Sequence, residues 1–224
     1  MKHFNIAIDG PAGAGKSTIA KEVARRLGFV YVDTGAMYRT MALHFIRSGI
    51  DPKDERAVAA SCRDVDVSLR YENGVQQVLL GGENVTGLIR TEEVGNMASA
   101  TSVYKPVREK LVQLQQALAR RENVVMDGRD IGTVVLPGAD VKIFLTASPE
   151  DRARRRFDEL RKRGQEADYD TVLRDIILRD EHDTRRSAAP LRQAKDALLG
   201  DTTGNSLDES LDVLLETIKE RLKA

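Results

Sequence analysis

The sequence predicts an α/β fold: a parallel β-sheet core flanked by helices, with an inserted antiparallel β subdomain and a helical lid. Three observations predict it. A glycine-rich loop, Gly10 to Ser17, joins a short apolar run to an amphipathic segment. Further short apolar runs alternate with helical patterns along the 224 residues, and such alternation implies a parallel sheet covered on both faces. One stretch breaks the rhythm with strict polar/apolar alternation around Asn73-Gly74, the strongest short hairpin signal.

The elements follow in order. Phe4 to Asp9 is an apolar run ending in turn chemistry and reads as a buried strand. Ile19, Ala20, Val23, Ala24 and Leu27 then recur at helical spacing. Phe29 to Asp33 reads as a second strand. A helix follows on Met37, Met41, Ala42, Phe45 and Ile46, with Gly49 as its stop signal. Val65, Val67, Leu69 and Tyr71 alternate with polar residues, the turn intervenes, and Val75 to Leu80 returns. Glu83 to Val85 adds a third short strand. This meander reads as an insertion over about residues 63–100. Pro106 suits a first helical position, with Val107, Leu111, Leu114 and Leu118 as the stripe behind it. Asn123 to Met126 and Val141 to Leu145 are further strands. Ser148, Pro149, Glu150 and Asp151 make a strong helix start. A second helix runs from about Asp170 to Arg186, and Asp196 to Leu199 reads as the last strand. Ser206 and Glu209 form a capping box for a terminal helix on Leu207, Leu211, Leu214, Leu215, Ile218 and Leu222.

Composition narrows the partners. There are 35 basic and 35 acidic residues, a formal net charge of zero, so bulk charge suggests neither a nucleic-acid nor a membrane partner. Cys62 is the single cysteine, which excludes an internal disulfide and suits a reducing, cytoplasmic setting. Met1 to Asn5 run directly into the first strand, leaving no room for a signal peptide. No apolar run approaches membrane-spanning length. The chain reads as one domain over 1–224.

The chemistry gathers at the carboxyl ends of the strands, where open parallel sheets bind ligands. Gly10 to Ser17 fits GxxxxGK[ST] and sits between a strand and a helix, the context a phosphate-binding loop needs. Backbone N–H groups and a helix N-terminus aim at an anion there, and glycines let the chain curl round it. Lys16 adds a point charge for the terminal phosphates, and Ser17 offers a hydroxyl to Mg²⁺. Asp127, ending another apolar strand, is the candidate for Mg²⁺ or its water shell; the alternative is a carboxylate capping its own turn. Arg39, Arg108, Arg129, Arg179 and Arg186 lie near strand ends or helix termini. Guanidinium suits bidentate capture of phosphate. Between Arg152 and Arg163 the chain is dense in arginine, read as a phosphate-covering lid over about 150–165. Asp151, Asp158 and Glu159 are the acids that could pair with that run. His3, His44 and His182 are scattered without metal-site spacing, and Cys62 reads as packing.

Four stretches carry a resemblance. Asp9 to Ser17 (DGPAGAGKS), Tyr31 to Arg39 (YVDTGAMYR), Met126 to Pro137 (MDGRDIGTVVLP) and Ser187 to Leu191 (SAAPL) together are similar to bacterial cytidylate kinases, and the similarity runs end to end. The resemblance implies the P-loop NTPase fold of nucleoside monophosphate kinases, with the insertion as the monophosphate-binding subdomain. It implies transfer of the γ-phosphate of ATP to CMP or dCMP by a cytoplasmic monomer, with Mg²⁺ as cofactor. Residue by residue it implies an ATP loop of Gly10, Pro11, Ala12, Gly13, Ala14, Gly15, Lys16, Ser17 and Thr18. Lys16, Arg129 and Arg186 become the catalytic cations, and Ser17 and Asp127 the metal pair. Ser99, Arg108 and Asp130 match the positions that read cytosine. Arg179 and Asp183 match those that hold the sugar. Thr34, Tyr38, Arg39, Arg129 and Arg186 match those around the acceptor phosphate.

Three other readings stay open at this point. A kinase for another small acceptor shares every general feature. A GTP-hydrolysing switch requires an Asn-Lys-x-Asp motif, which the chain lacks. A pure ATP-binding module leaves the arginines at several strand ends without a purpose.

Overall fold

In the computed structural model residues 3–223 are described, with the side chains of Leu207 and Asp208 excepted. The expected run-in from Met1 and Lys2, and the expected apolar contribution of Leu207, therefore lie outside the described residues. The chain divides into two compact units, Met1–Tyr31 with Asn123–Ala224, and Val32–Glu122.

The first unit opens with β1 (Asn5–Asp9), the glycine loop and α1 (Lys16–Leu27). Strand β2 (Val30–Asp33) leads out of it. The second unit holds α2 (Thr34–Arg47), α3 (Glu55–Asp64), β3 (Val67–Glu72), β4 (Val75–Leu80), β5 (Glu83–Asn84), α4 (Glu92–Thr101) and α5 (Lys105–Ala119). The chain then returns through β6 (Val124–Gly128), a π-helical turn (Ile131–Val135), β7 (Val141–Thr146), α6 (Pro149–Lys162), α7 (Tyr169–Arg185), β8 (Leu198–Asp201) and α8 (Leu207–Lys223).

The larger sheet has the order β2-β6-β1-β7-β8. The β1–β6, β1–β7 and β7–β8 pairs are parallel, as the alternation of strands and helices requires. Ile6 and Ile8 of β1 are fully buried, so this central strand reads as a continuous apolar run. With Val125, Val141, Ile143 and Leu145 they form a core closed by Ile19 and Val23 of α1 and by Leu211, Leu215 and Ile218 of α8. Each such aliphatic side chain contributes roughly 1.5–3 kcal/mol on burial. The capping box of α8 forms: the Ser206 N–H donates to Glu209 Oε2 at 2.9 Å, and the Glu209 N–H to Ser206 Oγ at 3.2 Å.

In the second unit β3, β4 and β5 make an antiparallel sheet. Asn73 at φ +52° and Gly74 at φ +77° supply the two positive-φ residues such a two-residue turn needs. Helix α2 packs on this sheet and against α4 and α5, burying Met37, Met41 and Phe45.

Two expectations need correction. The last strand lies at Leu198–Asp201, where Leu198 pairs with Ile143 and Asp201 with Thr146. Asp196 is outside it, because its carboxylate is taken by the buried Lys142 ammonium, 2.8 Å away. The second strand begins at Val30, since the Phe29 N–H still donates to the Ala24 carbonyl as the chain leaves α1.

Candidate active site

Strand β1 delivers the glycine loop, and local chemistry shapes it. Gly10, Gly13 and Gly15 have φ of +150°, +78° and +86°, which side chains disfavour. Gly15 caps α1, and its carbonyl accepts the N–H groups of Thr18 and Ile19 at 3.1 Å each. Lys16 is buried, and its ammonium donates to the Pro11 carbonyl at 2.7 Å across the loop. Burial pushes Lys16 down to about 7, and Arg129 adds repulsion; Asp127, Asp9 and Asp183 oppose the shift. A polyanion entering the loop would favour the charged form.

Asp127 stands near the end of β6 and is buried. It accepts from the Ser17 hydroxyl at 2.7 Å and from the Tyr31 hydroxyl at 3.0 Å. A hydroxyl and a carboxylate are hard oxygen donors. Among the described residues no three His, Cys, Asp or Glu side chains converge as a metal cage. That set fits Mg²⁺, which holds one or two protein oxygens and takes the rest from phosphate and water.

In the register of the parallel pair Asp9 stands opposite Gly128. The glycine loop and the Arg129–Asp130 segment therefore leave neighbouring strands side by side. Arg129 Nε donates to Asp183 Oδ2 at 2.8 Å. Arg186 lies 3.8 Å from Asp130 and 4.0 Å from Asp183, and its Nε donates to the Ala189 carbonyl at 2.7 Å. Burial pushes the Asp183 carboxyl up, but Arg129, Arg186 and Arg179 outweigh it and hold it below the ordinary value. Asp9 itself is buried, and both its oxygens accept backbone N–H groups, from Ile131 and Gly132, at 2.7 Å each. Its carboxyl is pushed up to about 6 by burial, against the pull of those two bonds.

In the second unit Asp33 caps α2, accepting the Ala36 N–H at 2.8 Å. Its Oδ2 also takes Arg39 at 3.2 Å and Arg90 at 2.8 Å. Thr34, at the start of α2, is buried. The Arg108 guanidinium sits 6.0 Å from the centre of the Tyr38 ring and donates to the Ser102 carbonyl at 3.4 Å. The Ser102 hydroxyl in turn reaches the Ser99 carbonyl at 3.0 Å.

Within the first unit the structure thus brings together Lys16, Ser17, Asp127, Arg129, Asp130, Arg179, Asp183 and Arg186. Within the second it groups Thr34 with Tyr38 and Arg39 on α2, and joins Arg108 to Tyr38. The arginine-rich helix divides. Arg152 is buried: it donates to the carbonyls of Ala147 at 2.9 Å and Ala12 at 3.1 Å, and pairs with Asp180 at 2.6 Å. Arg155 binds Thr202, and Arg156 and Arg163 share Glu159. Arg154 covers the Tyr169 ring. Asp151 serves the Gly204 N–H instead of an arginine.

Sequence reasoning missed the roles of three polar residues. Tyr31 orients Asp127 from 96 positions away, a partnership no local pattern signals. Arg90 lies in a stretch with no periodicity. Asp33 carried a signal, as an acid at a strand end just before a helix.

The chain matches the family described as Cytidylate kinase over residues 6–220. A cytidylate kinase of Caldicellulosiruptor bescii is 48% identical over 223 residues, covering 100% of this chain and 99% of the relative. One from Caldicellulosiruptor saccharolyticus is 50% identical over 216 residues, 96% of each. Among solved structures, an uncharacterized protein of Eubacterium ventriosum aligns with a TM-score of 0.52 at 11% identity, covering 97% of this chain and 99% of its own; that likeness concerns the fold alone. A phosphate loop on β1, a hydroxyl–carboxylate pair beside it and an arginine–aspartate network on the neighbouring strand thus occur in a chain that, by sequence along its whole length, belongs to the cytidylate kinase family.

Proposed function

We infer that this chain transfers the γ-phosphate of ATP to CMP or dCMP, giving ADP and CDP or dCDP. Family membership supplies the substrate class. The observation that carries the chemistry is the adjacency of two phosphate-handling segments. The glycine loop and Arg129–Asp130 leave β1 and β6 side by side, with Lys16 and Arg186 beside them.

The reaction needs little covalent help. An oxygen of the monophosphate attacks the γ-phosphorus, and the bond to the β–γ bridging oxygen breaks, releasing ADP. The monophosphate's second pKa is about 6, so its oxygen is already ionised at neutral pH and no strong base is required. The protein must hold two polyanions in line, offset their repulsion and exclude water. Lys16, Arg129 and Arg186 are the cations for that task. Ser17 and Asp127 would hold Mg²⁺, which when bound would offset the charge developing on the transferring phosphate.

The acceptor assignments extend this reading. Asp130 accepts from the cytosine amino group, and Ser99 and Arg108 address the ring acceptors. Arg179 and Asp183 hold the sugar. Thr34, Tyr38 and Arg39, with Arg129 and Arg186, surround the acceptor phosphate. Residues 63–100 serve as the monophosphate-binding subdomain and 150–165 as the lid, in a cytoplasmic monomer. Among the described residues no helix is long and apolar enough to cross a membrane.

A coupled ADP-release assay across the common monophosphates tests the proposal. CMP and dCMP should lead. A profile led by AMP, GMP or a non-nucleotide acceptor would overturn it.

A further inference from the structure

We propose that Asp9 is a positioning residue for the acceptor segment: its carboxylate clasps the Ile131 and Gly132 N–H groups and so fixes Arg129 and Asp130 against the root of the phosphate loop. The inference rests on the acceptor roles assigned above to Arg129 and Asp130.

The geometry is specific. Each oxygen of Asp9 takes one N–H, at 2.7 Å both times. Asp9, Ile131 and Gly132 are all buried, so water does not replace a lost bond. Ile131 and Gly132 open a π-helical turn, Ile131–Val135, a rare conformation frequent at functional sites. Its other ties are the Asp130 carbonyl, which accepts from Val134 at 2.9 Å and Val135 at 3.2 Å, and the Ile131 carbonyl, which accepts from Leu136 at 2.6 Å. Asp130 has φ −147° and ψ +25°, outside the regular regions, so the surroundings must impose its conformation. Strand β6 holds the segment on one side, through Gly128. The clasp holds it on the other, at the two residues that follow Asp130. Arg129 and Asp130 are bracketed between these points.

The opposite end of Asp9 is equally fixed. The next residue, Gly10, begins the phosphate loop and lies against the backbone of Leu145. The Asp9 carboxylate therefore links the donor loop directly to the acceptor segment. In-line transfer depends on that separation, since misplacement by about 1 Å can cost on the order of a hundredfold in rate. Gly132 closes the clasp. A Cβ there would meet Lys142 Cδ at 3.2 Å and Asp9 Oδ2 at 3.3 Å.

Steady-state kinetics on the full chain tests the proposal, with CMP and UMP as acceptors and ATP affinity measured separately by calorimetry. Asp9→Asn sets an amide N–H₂ against one of the two N–H donors. The expected result is a CMP KM raised about tenfold or more, a kcat/KM lower by about a hundredfold, and a smaller CMP-to-UMP preference, with ATP affinity changed by less than about twofold. Gly132→Ala leaves Asp9 in place but presses on the clasp, and should give the same signature more weakly. It decides the matter if Asp9→Asn does not fold. A folded variant with lower melting temperature but unchanged CMP KM and unchanged CMP-to-UMP ratio would show a purely structural role and overturn the proposal. So would a loss confined to ATP binding. Wild-type protein inactive toward CMP would instead sink the functional reading, and this inference with it.

Discussion

Replacing Gly10 with alanine isolates how tightly the phosphate loop is set against the sheet. Gly10 has φ +150°, and a Cβ there would lie 1.9 Å from the Leu145 carbonyl oxygen and 3.0 Å from its carbon. A carbon–oxygen contact relaxes only near 3.3 Å, so the loop root must retreat by about 1.4 Å from β7. Leu145 is a core residue of a central strand and does not yield. Backbone strain in that φ region costs about 1–3 kcal/mol and overpacking a similar amount, so Gly10→Ala should lose about 2–6 kcal/mol in urea unfolding. The displacement exceeds 1 Å at the loop that aims the transferring phosphate. In whatever fraction folds, kcat with CMP should fall by roughly a hundredfold or more. Gly28→Ala is the control. Gly28 also has positive φ, +69°, but nothing lies within 4 Å of its would-be Cβ, so it should cost about 1 kcal/mol and leave kcat alone. Wild-type stability and turnover in Gly10→Ala, or equal damage in Gly28→Ala, would refute the reasoning.

Other outcomes follow from the same geometry. Lys16→Ala should remain folded and lose phosphoryl transfer; near-normal turnover on CMP would remove Lys16 from the mechanism. Asp130→Asn should narrow the CMP-to-UMP ratio in kcat/KM, because an amide presents either a donor or an acceptor, and an unchanged ratio would exclude a base-reading role. Asp9, raised by burial from 3.8 to about 6, binds its proton more tightly folded than unfolded. It therefore contributes stability that is full below about pH 4 and lost as pH rises through 6, about 3 kcal/mol in all; a carboxyl ¹³C titration midpoint at or below 4 would contradict this. Hydrogen exchange over residues 150–165 should slow when ATP and CMP are both bound, and equal protection with and without ligands counts against a lid there.

Much of the fold was legible because its period is simple. Buried strands such as β1 and β6 are continuous apolar runs between turn residues, and α1 and α8 show their buried stripe directly. Helices α3 and α4 escaped notice for a physical reason. Each buries only two or three side chains, Val58 and Cys62 in one, Val94, Ala98 and Thr101 in the other. Helix α3 does carry an amphipathic pair, Val58 and Cys62, behind an Asp54 cap, but both helices are short and complete their burial only against α5 and α2. The π-helical turn was invisible because Ile131–Val135 reads like a strand, and what bends it is a carboxylate 122 residues earlier. In the site, the glycine loop, Asp127 and the arginines could be found, since strand ends mark them. Which acid serves which arginine could not. Arg129 takes Asp183 rather than its neighbour Asp130, a choice made by the approach of α7.

Arg152 gives the arginine-rich hairpin its mechanics. Helices α6 and α7 share a small core of Ala153, Val172 and Ile176, with Leu160, Ala167, Tyr169 and Leu173 against it, so the pair packs as one body. Arg152 joins that body to the phosphate loop at Ala12 and to α7 at Asp180, and its Cβ packs where Gly13 lacks one. A tilt would therefore turn on the near end of α6, as a lever on a fulcrum. The far end near Gly164 would sweep a long arc while Ala12 barely shifts. If residues 150–165 serve as the lid proposed above, opening on this fulcrum would also have to release Arg155 from Thr202, while the Arg152 contact to Ala12 stays in place.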